Sequence, residues 1–439
     1  MRLPRSVRTT GPLFAVAALC GSLACVPPAR AADLGRSVLP AKDGWASATT
    51  GTTGGSRADA AHTFTVSTRA QLVAALGGEN SGNGSNATPK IIYVSGVIDL
   101  NSDDSGRHLD CSAYATDGYS LPAYLAAYDP QVWGTAEEPS GALEDARAAS
   151  QKKQADKVQV NVGANTTIVG VRGGTLRGGG LVVKNVDNVI VRNLSFENAA
   201  DCFPQWDPTD GATGNWNSEY DAMTVYGATH VWVDHNTFSD GAVPDSSLPT
   251  YFGRIYEVHD GLLDVVKGAD YVTASWNVFK DHDKTNLIGN SDGASATDAG
   301  HLRVTFHHNL WQNTVQRAPR VRYGQVDTYN NYYAPAAGEY EYGIGVGKAS
   351  QIVAQNNYFA LPSGITAAKV LYNWGGTALT ASGNSVNGTT TDLVAAWNAA
   401  NPAKQLGTDA GWTPTLRTKV DPAAAVPGKV RAGAGAGRL

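Results

Sequence analysis

Methionine is nearly absent from this chain, with 2 in 439 residues, and charge is thin, at 17% of positions. Acids slightly outnumber bases, and the formal net charge is -5. Such a chain is not built as a whole to attract polyanions, so affinity for an acidic polymer must come from a local basic surface. Cysteine is scarce too, with four residues, and no zinc-type spacing is present. No phosphate loop, dinucleotide fingerprint, Ser-His-Asp order or nucleic-acid module stands out. Beyond the N-terminus, no apolar run approaches the roughly 20 residues needed to span a bilayer.

The N-terminus has a pattern of its own. Arg2, Arg5 and Arg8 lead into an apolar stretch from Gly11 to Cys25, and Ala29-Arg30-Ala31 has the small-x-small form of a cleavage site. We read residues 1–31 as a secretion signal. The expected product is a secreted, extracellular monomer with no membrane and no nucleic-acid partner. Only Cys111 and Cys202 would remain in it. In an oxidising compartment they can pair. Two separate buried thiols are the alternative, because geometry and not spacing decides.

Glycine is abundant, at 49 residues, which fits an all-β chain with many turns. Residues 32–62 are rich in Ala, Gly, Ser and Thr and are expected to form an irregular arm. Residues 63–439 read as a single domain. Thr63 to Val66 alternates like a strand. Thr68 to Leu76 reads as a short helix, opened by a Thr68/Gln71 capping box and stopped at Gly77-Gly78. Ile91 to Leu100 predicts a strand pair with a bend. Residues 102–157 read as a surface excursion with helices at Tyr124 to Tyr128 and Ala142 to Ala155, the second charged and exposed. A short helix is expected from Asp392 to Ala399. The tail, 421–439, should lie along the outside or fray.

From about residue 190 the chain becomes repetitive. Asn193, Asn236, Asn277, Asn309, Asn331 and Asn357 each follow a β-rich run, and a large or aromatic residue comes two or three places later. The intervals run from 22 to 43 residues. Self-similarity of this kind marks a solenoid, and short strands with turns mark a parallel β-helix. An ordinary β-sandwich with coincidental Asn turns is the alternative, and six matches to one grammar disfavour it. At a tight corner Asn tolerates the left-handed conformation, and stacked asparagines can bond one another as a ladder.

Charge is concentrated between His259 and Arg322. Asp260 and Asp264 lie there, with Asp221 and Glu219 upstream and Lys284, Arg317, Arg320 and Arg322 downstream. Hard carboxylate oxygens from two coils suit Ca²⁺. In a straight strand, however, Asp260 and Asp264 would stand roughly 13 Å apart at about 3.3 Å per residue. The chain must bend between them, with Gly261 the expected pivot, or they do not share an ion. Lys284, Arg317 and Arg322 would line the same face if coils stack at roughly 4.8 Å. Pairing of these cations with Asp281 and Asp283 is the plainer reading. Arg320 alternates with Val321 and is expected to point elsewhere. His235, His282 and His307-His308 sit beside strand-like residues and read as packed, hydrogen-bonded structure.

Several blocks then resemble bacterial pectate lyases of polysaccharide lyase family 1. They are Val231-Trp-Val-Asp-His235, Asp260-Gly-Leu-Leu-Asp264, Asp281-His-Asp-Lys-Thr285, Leu287-Ile-Gly289 and Gln316-Arg-Ala-Pro-Arg-Val-Arg322. Phe203-Pro-Gln-Trp-Asp-Pro-Thr-Asp-Gly211 and Gly214-Asn-Trp-Asn-Ser218 are further similar blocks. The resemblance implies a right-handed parallel β-helix and Ca²⁺-dependent β-elimination of de-esterified homogalacturonan (pectate) to 4,5-unsaturated oligogalacturonides. Carried over by motif, Asp221, Asp260 and Asp264 match calcium ligands, and Glu219 falls where some members place a further acid. Arg317 matches the base, and Lys284 and Arg322 match partners of the substrate carboxylate. Arginine is normally always protonated, so a base role implies an alkaline optimum, with Ca²⁺, Lys284 and Arg322 each expected to disfavour its charge. The competing functions are a pectin lyase on methyl-esterified polymer, a polygalacturonase, which needs clustered acids and a Gly-His-Gly block not found here, and a non-catalytic polyuronate-binding β-helix.

Overall fold

The computed structural model describes residues 33–439; the signal reading of residues 1–31 lies outside the described residues. Strands recur in threes. One coil holds Leu263–Val266, Asp270–Ser275 and Val278–Lys284, and the next holds Leu287–Ile288, Val304–His307 and Leu310–Gln316. Each strand pairs in parallel with its counterpart one coil on, as Val272 with Val304 and Val278 with Leu310. The first strands, from Gln159–Val162 to Leu371–Trp374, form an eight-stranded parallel sheet, and the second and third share an eighteen-stranded one. The fold is therefore all-β, a parallel β-helix with a few short helices. Its interior rows are apolar because side chains alternate in and out along a strand. Val183, Val225, Val265, Ile288, Val321 and Val346 are successive partners and are all fully buried.

The repeating asparagines form the expected ladder, displaced by one place at its start. The backbone amide of Leu194 donates to the Oδ1 of Asn236, and the amides of Asn236, Asn277, Asn309, Asn331 and Asn357 each donate to the next Oδ1, ending at Asn384. All six side chains from Asn236 to Asn384 are fully buried. The left-handed residue is the one before each ladder position: Asn193 before Leu194, then His235, Trp276, His308, Asn330, Asn356 and Gly383 before the six asparagines. Conformational tolerance therefore explains Asn193, while hydrogen bonding explains the ladder. Two residues beyond each ladder position an aromatic column fills the core. Phe196, Phe238, Phe279, Trp311, Tyr333 and Phe359 stack with ring centroids 4.3 to 5.4 Å apart.

Several local expectations change. Lys90–Asp99 is one strand rather than a pair; its register breaks between Ser95 and Val97, where Gly96 takes a φ of 74°. Thr68 caps the helix Arg69–Leu76 through the Gln71 amide, and the Gln71 side chain bonds the amide of Ser67 instead of Thr68. The helix Ala142–Val158 is exposed on one side only, where Asp145, Lys152, Lys153 and Asp156 lie. Glu144, Arg147, Ser150, Gln151 and Gln154 are buried along it. Arg147 bonds Glu144 and the carbonyl of Phe203, and Gln154 bonds the carbonyl of Ala200. Its polar face is consumed by the backbone of a neighbouring loop, which a charge pattern cannot distinguish from solvation. Tyr124, Tyr128, Trp206, Trp216 and Tyr256 form a separate aromatic core there. Cys111 and Cys202 form a disulfide with their Cα atoms 5.5 Å apart.

Two outer segments cross the coils. Residues 44–55 run over the large sheet: the amide of Gly55 bonds Thr167, that of Thr53 bonds Asn188, that of Ala46 bonds Thr273 and that of Trp45 bonds Thr305. At the other end, Val426–Gly433 is a helix whose Val426 and Val430 pack on Leu310 and Tyr332. The chain then continues backwards over the coils, bonding the carbonyl of Trp276, the hydroxyl of Thr237 and the Oδ1 of Asn193. Among the described residues no helix is long and apolar enough to cross a membrane.

Candidate active site

Asp264 lies on the outer face of the eight-stranded sheet, between Leu263 and Val265, which both point inward and are fully buried. Its register partner Thr224 donates a hydrogen bond of 2.7 Å to Asp221, which stands three residues earlier, just before its own strand. The chain does bend where it must. Asp260 to Leu262 stand outside the strand, with a bend at Leu262. Gly261 serves space rather than rotation. A Cβ built there would sit 2.4 Å from one oxygen of Asp264 and 2.7 Å from one oxygen of Asp221. The two carboxylates therefore flank one point that only glycine leaves open. Each is also pinned: Asp221 accepts from the Gly261 amide, and Asp264 from the Leu287 amide, both at 2.9 Å.

The electrostatics report crowding. Burial first, and Asp260 second, push the Asp221 carboxyl up to about 7. Asp264 is raised by burial, then by Asp221 and Asp260. Buried like charges disfavour ionisation, and an oxygen-rich set that resists ionisation alone is relieved by a cation. Among the described residues, three ligand-type atoms come within 4.8 Å of one another at another place, Asp240, Asp245 and His259. Asp221, Asp260 and Asp264 do not all meet that spacing. Glu219 is exposed, and its amide serves Asp201.

Lys284 and Arg317 come to the same place. Lys284 pairs with Gln316 across adjacent coils, and Arg317 follows directly. Lys284 bonds Glu257 at 3.1 Å, with both side chains mostly buried. Burial opposes its charge, but Glu257 and Asp260 outweigh burial and raise its pKa. Glu257 is itself driven up to about 7 by burial, against the pull of Lys284. The ion pair thus forms with Glu257 and not with Asp281 or Asp283, which are bonded by Asn313 and Gln316. Arg317 has a left-handed backbone, with φ 57°, and its Nε is buried without a partner. Burial lowers its pKa, but Asp260, Tyr342, Asp264 and Asp283 together raise it. The carboxylates favour the charged form of Arg317, while Lys284 stands beside it as a like charge.

Arg322 is held apart from this cluster. Its Nε bonds Asp292 at 2.6 Å and its Nη1 the carbonyl of Gly289. Arg320 points elsewhere, as expected, with its guanidinium 4.2 Å from the ring centre of Trp374. Asp234 is buried between Arg192, Ser275 and His235, and His282 bonds Asp240, so these residues pack and hydrogen-bond. Sequence reasoning missed Glu257 and Asp292. Glu257 stands three residues before Asp260, just outside the charged stretch that begins at His259. Asp292 meets Arg322 across a sequence separation of 30 residues, from one coil to the next, and nothing local marks it.

The pectate lyase family model matches residues 132–407. A pectate lyase of Bacillus subtilis (strain 168) is 49% identical over 94% of this chain and 96% of its own length. Pectate lyase E of Dickeya dadantii (strain 3937) is 37% identical over 80% of this chain and 76% of its own. Among solved structures, a thermostable pectate lyase superposes with a TM-score of 0.90 at 48% identity, covering 93% of this chain and all of the other. A pectate lyase bound to a hexasaccharide gives 0.87, also at 48% identity and with the same coverage.

Proposed function

The chain belongs to the pectate lyase family, and from that premise we propose that it is a secreted, calcium-dependent enzyme that cleaves de-esterified homogalacturonan by β-elimination. One observation carries the assignment of the site: buried Asp221 and Asp264 flank the open point at Gly261, and Asp260 acts electrostatically on them, on Lys284 and on Arg317. The donor set fits Ca²⁺, being hard oxygen only, in a gap that no side chain fills. Asp221, Asp260 and Asp264 would hold the ion, with Glu219 a further candidate. When bound, Ca²⁺ supplies Lewis-acid polarisation of the galacturonate carboxylate.

The chain's own residues do the rest. Lys284 binds and orients that carboxylate and meets the negative charge that develops as the proton on C5 leaves; Arg322 would join it by exchanging Asp292 for the substrate. Arg317 takes this proton. It first needs a neutral guanidine, which the free carboxylates oppose. With the charge of Asp260 and Asp264 offset, burial and Lys284 disfavour its charge, against the remaining pull of Tyr342 and Asp283. The C4–O bond then breaks, its oxygen leaves with the other part of the polymer and takes up a proton from solvent, and a 4,5-unsaturated sugar remains. No water is consumed, so the paired carboxylates of a hydrolase are not required.

The deciding experiment is an assay on polygalacturonate, following ultraviolet absorbance of the unsaturated product with and without EDTA. Loss of activity on chelation and recovery with Ca²⁺ support the reading. Cleavage unaffected by EDTA and favouring methyl-esterified polymer would establish a pectin lyase instead. Binding without product would leave a polyuronate-binding helix.

A further inference from the structure

Beside the groove of aspartates, a second cluster of ligand-type side chains has no part in the proposed elimination. Asp240 follows the strand Thr237–Ser239, Asp245 opens the turn Asp245–Ser247, and His259 precedes Asp260. One atom from each lies within 4.8 Å of the other two. Asp240 is only 2% exposed, and its Oδ2 has no hydrogen-bond partner. That oxygen stands 3.8 Å from the Nδ1 of His259. The other oxygen of Asp240 is fixed by the ring of His282 at 2.7 Å. A buried carboxylate oxygen left bare carries a desolvation cost that a cation would remove.

The orientation of His259 is the more telling part. Its Nε2 faces the Oδ1 of Asn198 at 2.9 Å. An amide oxygen only accepts, so Nε2 carries the proton. The Nδ1 is then turned towards Asp245, whose oxygen is 2.8 Å away. At that distance the two atoms share a proton, and an ion taking its place would hold them as adjacent ligands. An imidazole whose far N–H is held by a carbonyl group, with the near nitrogen aimed at carboxylates, is how metal-bound histidines are commonly held.

We propose that Asp240, Asp245 and His259 form a binding site for a divalent transition ion such as Mn²⁺, Co²⁺ or Zn²⁺, separate from the all-oxygen aspartate cluster. One imidazole nitrogen with two carboxylate oxygens suits such ions better than Ca²⁺, which takes oxygen ligands. Asn198 and His282 orient the ligands from behind. Access is available, because Asp240, Asp245 and His282 line an open cavity of about 580 Å³ that also carries Glu257, Asp281 and Asp283. Acids in a concave wall concentrate cations.

The test is a Co²⁺ titration of the full chain with Ca²⁺ present in saturating amount, read by visible absorption and by calorimetry. One equivalent of Co²⁺ should bind with the spectrum of a nitrogen-containing site. His259→Gln and Asp240→Asn should each weaken binding at least tenfold, and Asp221→Asn should not. Asp245→Asn is a second probe should Asp240→Asn fail to fold, since Asp245 lies on a turn and is partly exposed. No Co²⁺ binding by the wild type overturns the proposal and leaves a proton-held ion-pair network. Equal binding by wild type and His259→Gln overturns it as well, as does loss of the Co²⁺ signal in Asp221→Asn.

Discussion

Replacing Gly261 by alanine tests the aspartate cluster with a single methyl group. The added Cβ would lie 2.4 Å from Oδ1 and 2.7 Å from Cγ of Asp264, and 2.7 Å from Oδ1 of Asp221. Each of those oxygens is already tied to a backbone amide. The carboxylates cannot both keep those bonds and make room. Overpacking of a tight site costs typically about 1–3 kcal/mol. If that cost falls on the ion-binding arrangement, calcium affinity drops about 5- to 150-fold. The assay is the calcium dependence of polygalacturonate cleavage, compared with the wild type. The half-saturating calcium concentration should rise by a factor in that range, and much of the rate should return at high calcium. A variant with an unchanged calcium requirement would refute the placement of the ion at this point. Thermal unfolding in EDTA measures the part of the cost that falls on the metal-free fold, and the calcium requirement measures the rest.

Other outcomes follow from the same geometry. Arg317→Ala should lower kcat about 10²- to 10⁴-fold, the usual contribution of a positioned base, with polymer binding largely kept; full activity, or a wild-type rate maximum in the acid range, counts against it. Asp221 is raised from 3.8 to about 7 in the folded chain, so ionising it opposes folding: the penalty is absent below about pH 4, grows to about pH 7 and is constant above. The difference in Tm between calcium-loaded and EDTA-treated protein should widen over that window, and a pH-independent difference would contradict the account. Asn309→Ala removes the acceptor for the Asn277 amide and the donor to the Ala274 carbonyl, both buried. At about 1–3 kcal/mol per orphaned group, denaturant unfolding should show a loss of at least about 2 kcal/mol. Replacing Cys111 and Cys202 by serine opens a loop spanning 91 residues and should cost up to about 5 kcal/mol on the chain-entropy account, readable as a fall in Tm.

The fold was legible because its grammar is local. Strand, corner asparagine and aromatic repeat in order, and a stacked solenoid carries that order directly into contacts. The register at Asn193 was misjudged because asparagine suits both the left-handed corner and the ladder place beside it, and sequence does not separate those two uses. At the site, residue types and the required bend between Asp260 and Asp264 could be argued from strand geometry. The role of Gly261 could not, because it depends on where Asp221 arrives from another coil. Partners of the cations were illegible for the same reason. Glu257 reaches Lys284, and Asp292 reaches Arg322, through loops whose course no periodicity records.

The two outer segments change how such a stack can come apart. A solenoid whose coils touch only their neighbours behaves as a one-dimensional array that can fray from either end. Here the residues around Gly437 return to Asn193, 244 positions away in sequence, and the N-terminal segment bonds coils from Thr167 to Thr305. Loss of an end coil therefore disturbs a strap that also grips the middle. Unfolding becomes more nearly all-or-none, and the last contacts to close during folding wait for the final residues of the chain.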